Sequence, residues 1–305
     1  MSTRTKKLVG GLLVSAEELE YSEQLLISNY GGELTKIQIE AAQKMAEQVR
    51  VRKIIYKSNG HLVHGFIVEP KKIDGKIPCI IWNRGGSNNF AALNLCQVYA
   101  MLGLVASWGY VVIGSQYSGN MGGEGKDEFG GEDLNDVLVL PQILKRHEYA
   151  DTRCIGMCGG SRGGMMTYLC LSKVTWIRAA VVMAGVTDLQ RNARERPDMK
   201  TIFKKMFGGQ KKDLVVRSAV KWADKFCKTS PLLIMHGTND QRVNPRDSLD
   251  LSAKLLGAGI HHSLVMFEGD DHILMAHRKQ RWQLTKEWFD RYLKRAEKIH
   301  LQIGT

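Results

Sequence analysis

Six short, continuous apolar runs, separated by segments of helical length, constrain the fold of this chain more than any other feature. Within each run, residues such as Val, Ile, Leu, Met and Ala follow one another instead of alternating with polar residues. Strands of this kind are buried on both faces, as in a parallel sheet covered by helices. The pattern therefore predicts an α/β protein with a mostly parallel central sheet and helices on both faces. The runs are 78–82, 110–114, 153–157, 179–183, 232–236 and 263–267.

Three other segments complete the predicted organisation. Residues 51–56 and 62–68 are rich in β-formers and flank Ser58, Asn59 and Gly60, which indicates an antiparallel hairpin. Before them, residues 1–50 carry a partial apolar stripe and are expected to form an N-terminal helical extension of a catalytic domain over 51–305. Residues 187–228 are too many for a plain connection between strands, so we expect a helical cap insertion there.

Charge, cysteine content and hydropathy limit the partners of the chain. The formal charge is +12, but the basic residues are scattered without interleaved aromatics, so no nucleic acid partner is expected. No apolar run reaches the roughly 18 residues of a membrane-spanning helix, and no membrane partner is expected. The six cysteines form no close CxxC pair, which favours free thiols in the cytoplasm. Residues 6–14 weakly resemble a signal peptide, so export stays an alternative. Neither a metal nor a cofactor is expected.

A serine between glycines marks the strongest candidate for catalysis. Residues 159–163 fit the pattern G-x-S-x-G, in which a strand turns sharply into a helix and exposes the serine hydroxyl at the corner. The run before Ser161 is strand-like and the residues after it are helical in pattern, as this motif requires. The thiol of Cys158 is a rival by chemistry, but it lies three residues earlier, inside the strand end. Ser161 is the predicted nucleophile.

A serine nucleophile needs a base, and the base needs a carboxylate that holds its tautomer. His272 follows Ser161 in the chain and lies in a glycine-containing loop directly after a predicted strand, so it is the predicted base. Asp240 lies just beyond the preceding strand and completes the order Ser, Asp, His. Asp270 and Asp271 are rival acids, although neighbours of the base in sequence reach its far ring nitrogen poorly. For His236, at a strand end, we expect a hydrogen-bonded structural role.

The tetrahedral intermediate requires N–H donors aimed at its oxyanion. The backbone N–H after the nucleophile, that of Arg162, is one expected donor. The loop after the strand at 78–82 contains Gly85 and Gly86, whose paired glycines allow close approach of a backbone N–H, so they are expected to supply the second. An ordinary turn is the alternative for this loop.

Taken together and in this order, these motifs resemble the catalytic domain of the prolyl oligopeptidase group of serine peptidases, family S9, within the α/β-hydrolases. The resemblance spans about residues 51–293. It implies an α/β-hydrolase fold and peptidase activity, with short, unstructured peptides as the substrate class. The motifs that carry it are 83–86 (NRGG), 159–164 (GGSRGG), 217–218 (RS), 236–243 (HGTNDQRV) and 268–272 (EGDDH).

The chain also departs from the pattern of that family. Many members carry a large N-terminal β-propeller, whereas only about 50 residues precede the hydrolase domain here, so no propeller is expected. Prolyl oligopeptidases proper use a tyrosine in the oxyanion loop, where this chain has Arg84, which is therefore a candidate for substrate binding. Members that cut after proline line the proline pocket with aromatic side chains of the cap, but residues 185–202 contain no Phe, Tyr or Trp.

The expected function is hydrolysis of an amide or ester through an acyl-enzyme on Ser161. A carboxylesterase is the alternative, because both reactions use the same residues; a non-catalytic hydrolase-fold binding protein is a third reading. Residues 191–212 of the predicted cap hold eight basic and two acidic residues, from which we expect a preference for anionic substrates; a solvated helix face without a part in recognition is the alternative. The arginines expected to bind such substrates are Arg191, Arg194 and Arg196.

Overall fold

The computed structural model describes residues 9–30 and 32–297. These residues form two compact units, one made of residues up to 127 together with 135–153, the other of 128–134 together with the residues from 154 onward. Residues 6–8 of the weakly signal-like stretch lie outside the described part of the chain.

The first unit contains five strands whose neighbours follow the order β1, β2, β3, β5, β4. Strands β4 and β5 are parallel, and the other three pairs are antiparallel. The predicted hairpin is present as β2 and β3, joined at Asn59 and Gly60, which both have positive φ. The strands are β1 (Leu13–Leu19), β2 (Val49–Ser58), β3 (His61–Pro70), β4 (Ile77–Asn83) and β5 (Val111–Ser115).

Short helices make up the rest of the first unit. Thr35 begins α2 with a capping box, because its hydroxyl accepts from the Gln38 N–H while the Gln38 side chain accepts from the Thr35 N–H. A π turn over Val98–Leu102 joins α3 to α4. The helices are α1 (Glu23–Tyr30), α2 (Lys36–Ala46), α3 (Leu95–Gln97), α4 (Gly103–Ser107), α5 (Asn135–Leu138) and α6 (Leu140–Leu144).

The prediction that residues 1–50 form a helical extension was wrong for one element, because β1 lies among them. Leu13 and Ala16 are buried, and the pairing with β2 shifts register between Leu13 and Ser15. That irregularity disrupts the alternation of buried and exposed residues by which a strand is recognised in a sequence. The strand is held by its partner β2 and not by a clear pattern of its own.

The second unit contains a four-stranded parallel sheet in the order β6, β7, β8, β9. Helices α7, α11 and α12 pack on these strands. Apolar side chains form most of the core, with Val181, Ile234 and Phe289 fully buried. The elements are β6 (Ala150–Gly160), within which the division between units falls, α7 (Arg162–Leu171), β7 (Ile177–Met183), β8 (Leu232–Gly237), α11 (Arg246–Gly257), β9 (His262–Phe267) and α12 (Arg278–Phe289).

Between β7 and β8 the chain is helical, as expected for the insertion at 187–228. It contains α8 (Leu189–Glu195), α9 (Pro197–Phe207) and α10 (Lys211–Val216), followed by two 3₁₀ turns. Asp188 caps α8 by accepting from the N–H groups of Gln190 and Arg191. Gly208 ends α9 in the left-handed conformation with a φ of 86°.

Three features of composition can be followed in the structure. All six cysteines are free thiols. Over residues 9–30 and 32–297, no helix is long and apolar enough to cross a membrane. The same residues contain no cluster of three or more His, Cys, Asp or Glu side chains arranged to hold a metal ion.

Candidate active site

Ser161 occupies a sharp corner between β6 and α7. Its backbone is strained, with a φ of 56° and a ψ of −123°, and its N–H donates to the carbonyl of Met183 on the neighbouring strand. A Cβ on Gly159 would lie 2.2 Å from the carbonyl oxygen of Gly163, so only glycine permits the helix to start this close to the strand. The predicted strand-to-helix corner is therefore present at Ser161.

The carboxyl ends of the strands in the second unit lie at one edge of its sheet. Gly160 is in register with Met183 of β7, and Met183 with Met235 of β8. Strands β8 and β9 end together, since Gly237 is in register with Phe267. The loops that carry Ser161, Asp240 and His272 thus leave the sheet at the same edge, where catalytic residues of open α/β sheets collect.

Asp240 and His272 are in direct contact. The Nδ1 of His272 lies 2.7 Å from Oδ2 of Asp240, whose side chain is fully buried. Its other oxygen, Oδ1, accepts from the backbone N–H groups of Arg242 and Val243 at 2.7 and 3.0 Å. Burial raises the pKa of Asp240, but the hydrogen bonds from His236 and His272 outweigh that effect and hold the pKa well below its usual range. The carboxylate is ionised at neutral pH.

The two loops meet because Gly237 has no side chain. A Cβ there would lie 2.3 Å from the Asp270 carbonyl oxygen and 2.5 Å from that of Asp271. In addition, the Asn239 N–H donates to the Asp270 carbonyl, and the Gly269 N–H donates to the hydroxyl of Thr238. These contacts fix the loop of His272 against the loop of Asp240.

The rival candidates have other roles. Asp270 accepts from the ring of His277 and from the N–H groups of Asp271, Ala276 and His277, so it shapes its own loop. Asp271 accepts from the N–H groups of Ile273 and Met275 through one oxygen, Oδ1. Cys158 is buried in β6, and burial raises the pKa of its thiol far above the ordinary value. None of the three contacts His272 through a hydrogen bond in the described residues.

A hydrogen-bonded structural role was expected for His236. Its ring does form hydrogen bonds, and their partners are Asp240 and Ser248. Nε2 lies 2.9 Å from Oδ2 of Asp240, the same oxygen that His272 contacts. Nδ1 lies 2.6 Å from the hydroxyl of Ser248 on α11. The position of His236, four residues before Asp240, was a signal that could have suggested this contact.

Arg162, next to the candidate nucleophile, is held by a buried ion pair. Its Nη2 lies 2.7 Å from Oδ2 of Asp133, and its guanidinium stacks on the ring of Phe129. Arg217 donates to the carbonyls of Glu128 and Phe129 and lies over the ring of Phe207. Two arginines therefore secure the segment 128–134. The predicted oxyanion donor at this position is the backbone N–H of Arg162, not its guanidinium, which pairs with Asp133.

The cap contributes aromatic side chains that sequence reasoning missed. Phe203 packs on Phe129 with ring centroids 5.2 Å apart and on Phe207 at 5.4 Å. Both cap residues lie just after residues 185–202, which contain no Phe, Tyr or Trp. Their helical spacing of four residues within α9 was the signal in the sequence. The cap helix α9 thus presents an aromatic face to the segment 128–134.

Within the first unit, the loop after β4 carries Gly85 and Gly86, and Gly86 has a φ of 70°. Arg84 was expected to bind substrate, but this prediction disagrees with the structure, because the residue is only 2% exposed. Its guanidinium donates to the carbonyls of Gln116, Asn88, Gly85 and Phe90 and stacks on the ring of Tyr117. The side chain organises the loop from inside.

The three cap arginines differ in their surroundings. Arg191 forms ion pairs with Asp247 and Asp250, and Arg196 with Asp198. Both line a polar cavity of about 370 Å³ that also borders Asp240 and Arg242. Arg194 is largely exposed, with Glu195 at 3.6 Å. The predicted preference for anionic substrates thus rests mainly on Arg194 and on the exposed lysines of α9 and α10.

Comparison with sequence families and curated relatives gives consistent matches. The sequence model of Peptidase_S9, the prolyl oligopeptidase family, matches residues 96–296. The uncharacterized peptidase YtmA of Bacillus subtilis (strain 168) is 32% identical over 215 residues, which cover 69% of this chain and 81% of that protein. The uncharacterized peptidase YuxL of the same organism is 27% identical over 258 residues, or 77% of this chain and 38% of that protein.

Solved structures show the same fold. An acylaminoacyl peptidase in complex with Z-Gly-Gly-Phe-chloromethyl ketone superposes with a TM-score of 0.71 at 24% identity, covering 84% of this chain and 44% of the other. A puromycin-hydrolyzing peptidase of Mycobacterium tuberculosis gives a TM-score of 0.66 at 22% identity, covering 79% and 39%. The chain spans less than half the length of these structures. The likeness identifies the fold as the α/β-hydrolase fold.

Proposed function

Because this chain belongs to the prolyl oligopeptidase family and is a serine hydrolase, we propose that it cleaves short peptides through an acyl-enzyme formed on Ser161. His272 acts as the general base and Asp240 as the acid that orients it. One observation carries the assignment: the 2.7 Å contact between His272 Nδ1 and Asp240 Oδ2, at the sheet edge where the strained corner of Ser161 also lies.

The ionised carboxylate of Asp240 accepts a hydrogen bond and cannot donate one, so His272 carries its proton on Nδ1. The lone pair of Nε2 is then free to take the proton of the Ser161 hydroxyl while Oγ attacks the scissile carbonyl. Nε2 next delivers that proton to the leaving amine, and the C–N bond breaks to give the acyl-enzyme. Water, activated by the same nitrogen, releases the acid and regenerates the serine.

The negative charge of the tetrahedral intermediate needs N–H donors. The backbone N–H of Arg162 is the first proposed donor, since Arg162 directly follows the nucleophile at the start of α7 and the positive end of the helix dipole favours an anion. The buried pair between Arg162 and Asp133 supports this role by fixing the first turn of α7. The second donor stays a prediction for Gly85 or Gly86.

The first test compares wild type with Ser161→Ala and His272→Ala on a peptidyl arylamide. Each substitution should abolish turnover to a similar degree, by about 10⁶-fold if the three residues act as a unit. Asp271→Asn is the matched control for a loop neighbour of the base, because its amide oxygen retains both backbone contacts of Oδ1. Activity of Ser161→Ala near that of wild type would refute the proposal.

The second test separates peptidase from carboxylesterase. Both reactions use one set of residues, so the chemistry of the leaving group decides between them. For a peptidase, kcat/KM on di- and tripeptidyl arylamides should exceed that on an acylamide without peptide bonds, because backbone binding contributes. Turnover of p-nitrophenyl esters alone, with no arylamide hydrolysed, would assign the chain as a carboxylesterase.

A further inference from the structure

His236 is a fully buried histidine that the proposed reaction does not use. It lies near the end of β8, and none of its surface is exposed. Its ring connects helix α11 to Asp240, with Nδ1 at 2.6 Å from the Ser248 hydroxyl and Nε2 at 2.9 Å from Asp240 Oδ2. A histidine with no access to solvent cannot contact a substrate, so any part that it plays must act through its neighbours.

The partners of the ring determine its protonation. Nε2 faces two groups that only accept, the Asp240 carboxylate and the carbonyl oxygen of Val243 at 3.1 Å. Nε2 must therefore carry a proton and donate it. In the neutral ring, Nδ1 then accepts from the hydroxyl of Ser248. The hydrogen bonds run in one direction, from Ser248 to His236 and from His236 to Asp240.

Four donors converge on the Asp240 carboxylate. Two imidazole N–H groups share Oδ2, and two backbone N–H groups share Oδ1. Without His236, the hydrogen bond that Oδ2 keeps among residues 9–30 and 32–297 would be that with His272, which belongs to a half-exposed loop. The carboxylate and the imidazole of His272 could then move together. The hydrogen bond from the buried His236 ring therefore holds Oδ2 in a fixed position.

Ser248, which contacts the His236 ring, lies in a helix turn that other contacts hold in place. Asp247, adjacent to Ser248, accepts from the N–H groups of Thr187 and Asp188 and pairs with Arg191. These contacts fix the first turn of α11, so the hydroxyl of Ser248 holds the His236 ring in one orientation. The chain of contacts from α11 to Asp240 is buried along its length.

We infer that His236 is a positioning residue for the reaction: it holds Asp240 in the orientation that keeps the Nδ1 proton on His272. The inference rests on the proposed function of Ser161, Asp240 and His272. It predicts that loss of the His236 donor slows the chemical step and leaves substrate binding unchanged, since no part of the ring reaches the substrate.

Two substitutions at position 236 distinguish the contribution of Nδ1 from that of Nε2. The amide of His236→Asn reaches only as far as Nδ1 and loses the donor to Asp240, whereas the amide nitrogen of His236→Gln reaches the position of Nε2 and retains that donor. His236→Asn should lower kcat by about 10- to 100-fold with KM within about twofold, as expected for loss of a hydrogen bond to a charged group. His236→Gln should recover most of the loss.

A matched serine on the same helix provides the control. Ser252 of α11 contacts Nε2 of His262 at 2.7 Å, a serine–histidine pair that does not touch Asp240. Ser248→Ala should lower kcat by about 3- to 10-fold at constant KM, since it removes one neutral hydrogen bond. Ser252→Ala should leave kcat unchanged. If His236→Asn does not fold, this pair of variants decides the question.

Three results would overturn the inference: His236→Asn with the kcat of wild type, equal losses in His236→Asn and His236→Gln, or equal effects of Ser248→Ala and Ser252→Ala. Ser161→Ala and Asp240→Asn are measured in the same series. If those two retain activity, the proposed function fails. If they lose activity while the variants at 236 and 248 do not, only the positioning role of His236 fails.

Discussion

Replacement of Asp240 by asparagine should separate catalysis from folding, because the four donors around the carboxylate are not equivalent. The backbone N–H groups of Arg242 and Val243 cannot change, so they require the amide oxygen at the position of Oδ1. The amide NH₂ must then face His236 and His272. The ring of His272 can shift its proton to Nε2 and accept at Nδ1, but in that tautomer it cannot take the proton of Ser161.

The magnitude follows from the same contacts. His236 keeps its Nε2 proton because the Val243 carbonyl also accepts it. In Asp240→Asn the Nε2–H of His236 therefore faces the new amide NH₂, donor against donor, which should lower the free energy of unfolding by about 1–3 kcal/mol. The loss in kcat should be about 10⁴-fold, the size found when a triad acid becomes an amide. A large loss in kcat with a small loss in stability identifies Asp240 as a residue that acts in catalysis more than in folding.

The assay measures kcat and KM on a peptidyl arylamide and unfolding in urea for Asp240→Asn beside Asp271→Asn. In the part of the chain that the structure describes, the side chain of Asp271 accepts through Oδ1, so its amide keeps both contacts, and this variant should match wild type within about twofold. Asp240 is not the orienting acid if Asp240→Asn keeps a tenth or more of the wild-type kcat, or if Asp271→Asn shows the larger loss.

Further predictions concern pH, packing and charge. Burial raises the pKa of Glu69, but the hydrogen bond and charge of His147 and the charge of Arg52 lower it to about 2 from an ordinary 4.5, so Glu69 stabilises the fold above pH 4.5 and this stability is lost as pH falls toward 2. The stability difference between wild type and Glu69→Gln in urea should therefore shrink by about 2 kcal/mol from pH 6 to pH 3, and an unchanged difference contradicts this. Gly237→Ala should push the His272 loop away from Asp240 and lower kcat/KM by about 100-fold, whereas Gly257→Ala, with open space around its Cβ, should have no effect; equal activities would exclude the steric argument. If the basic cap attracts anions, the ratio of kcat/KM for a glutamyl over a glutaminyl substrate should exceed one at low salt and decline toward one near 0.5 M salt, and a ratio near one throughout removes that role.

Much of the parallel sheet could be predicted because its signal is local. Strands β4 to β9 each follow from a continuous apolar run, and each lies where the run predicted it. Strand β1 could not be predicted, because a register shift near Leu13 disturbs its alternation and its stability comes from β2, about 40 residues later in the chain. The β-propensity of the residues of β1 does not indicate which strand they will pair with.

In the candidate site, the corner at Ser161 and the pair of Asp240 and His272 follow from motifs at strand ends. Arg84 was misread, because a motif specifies a residue type at a position and not the direction of its side chain. Here the carbonyls of the folded loop capture the guanidinium. The cluster of Phe129 with Phe203 joins segments more than 70 residues apart, and only the folded chain reveals such a contact.

Mass spectrometry of the chain after reaction with a fluorophosphonate shows directly whether Ser161 is an activated nucleophile. We expect one covalent adduct, on the peptide that contains Ser161; adduct formation should slow severely in His272→Ala and disappear in Ser161→Ala. An adduct on another residue, or labelling of Ser161→Ala equal to that of wild type, would show that Ser161 is not the nucleophile.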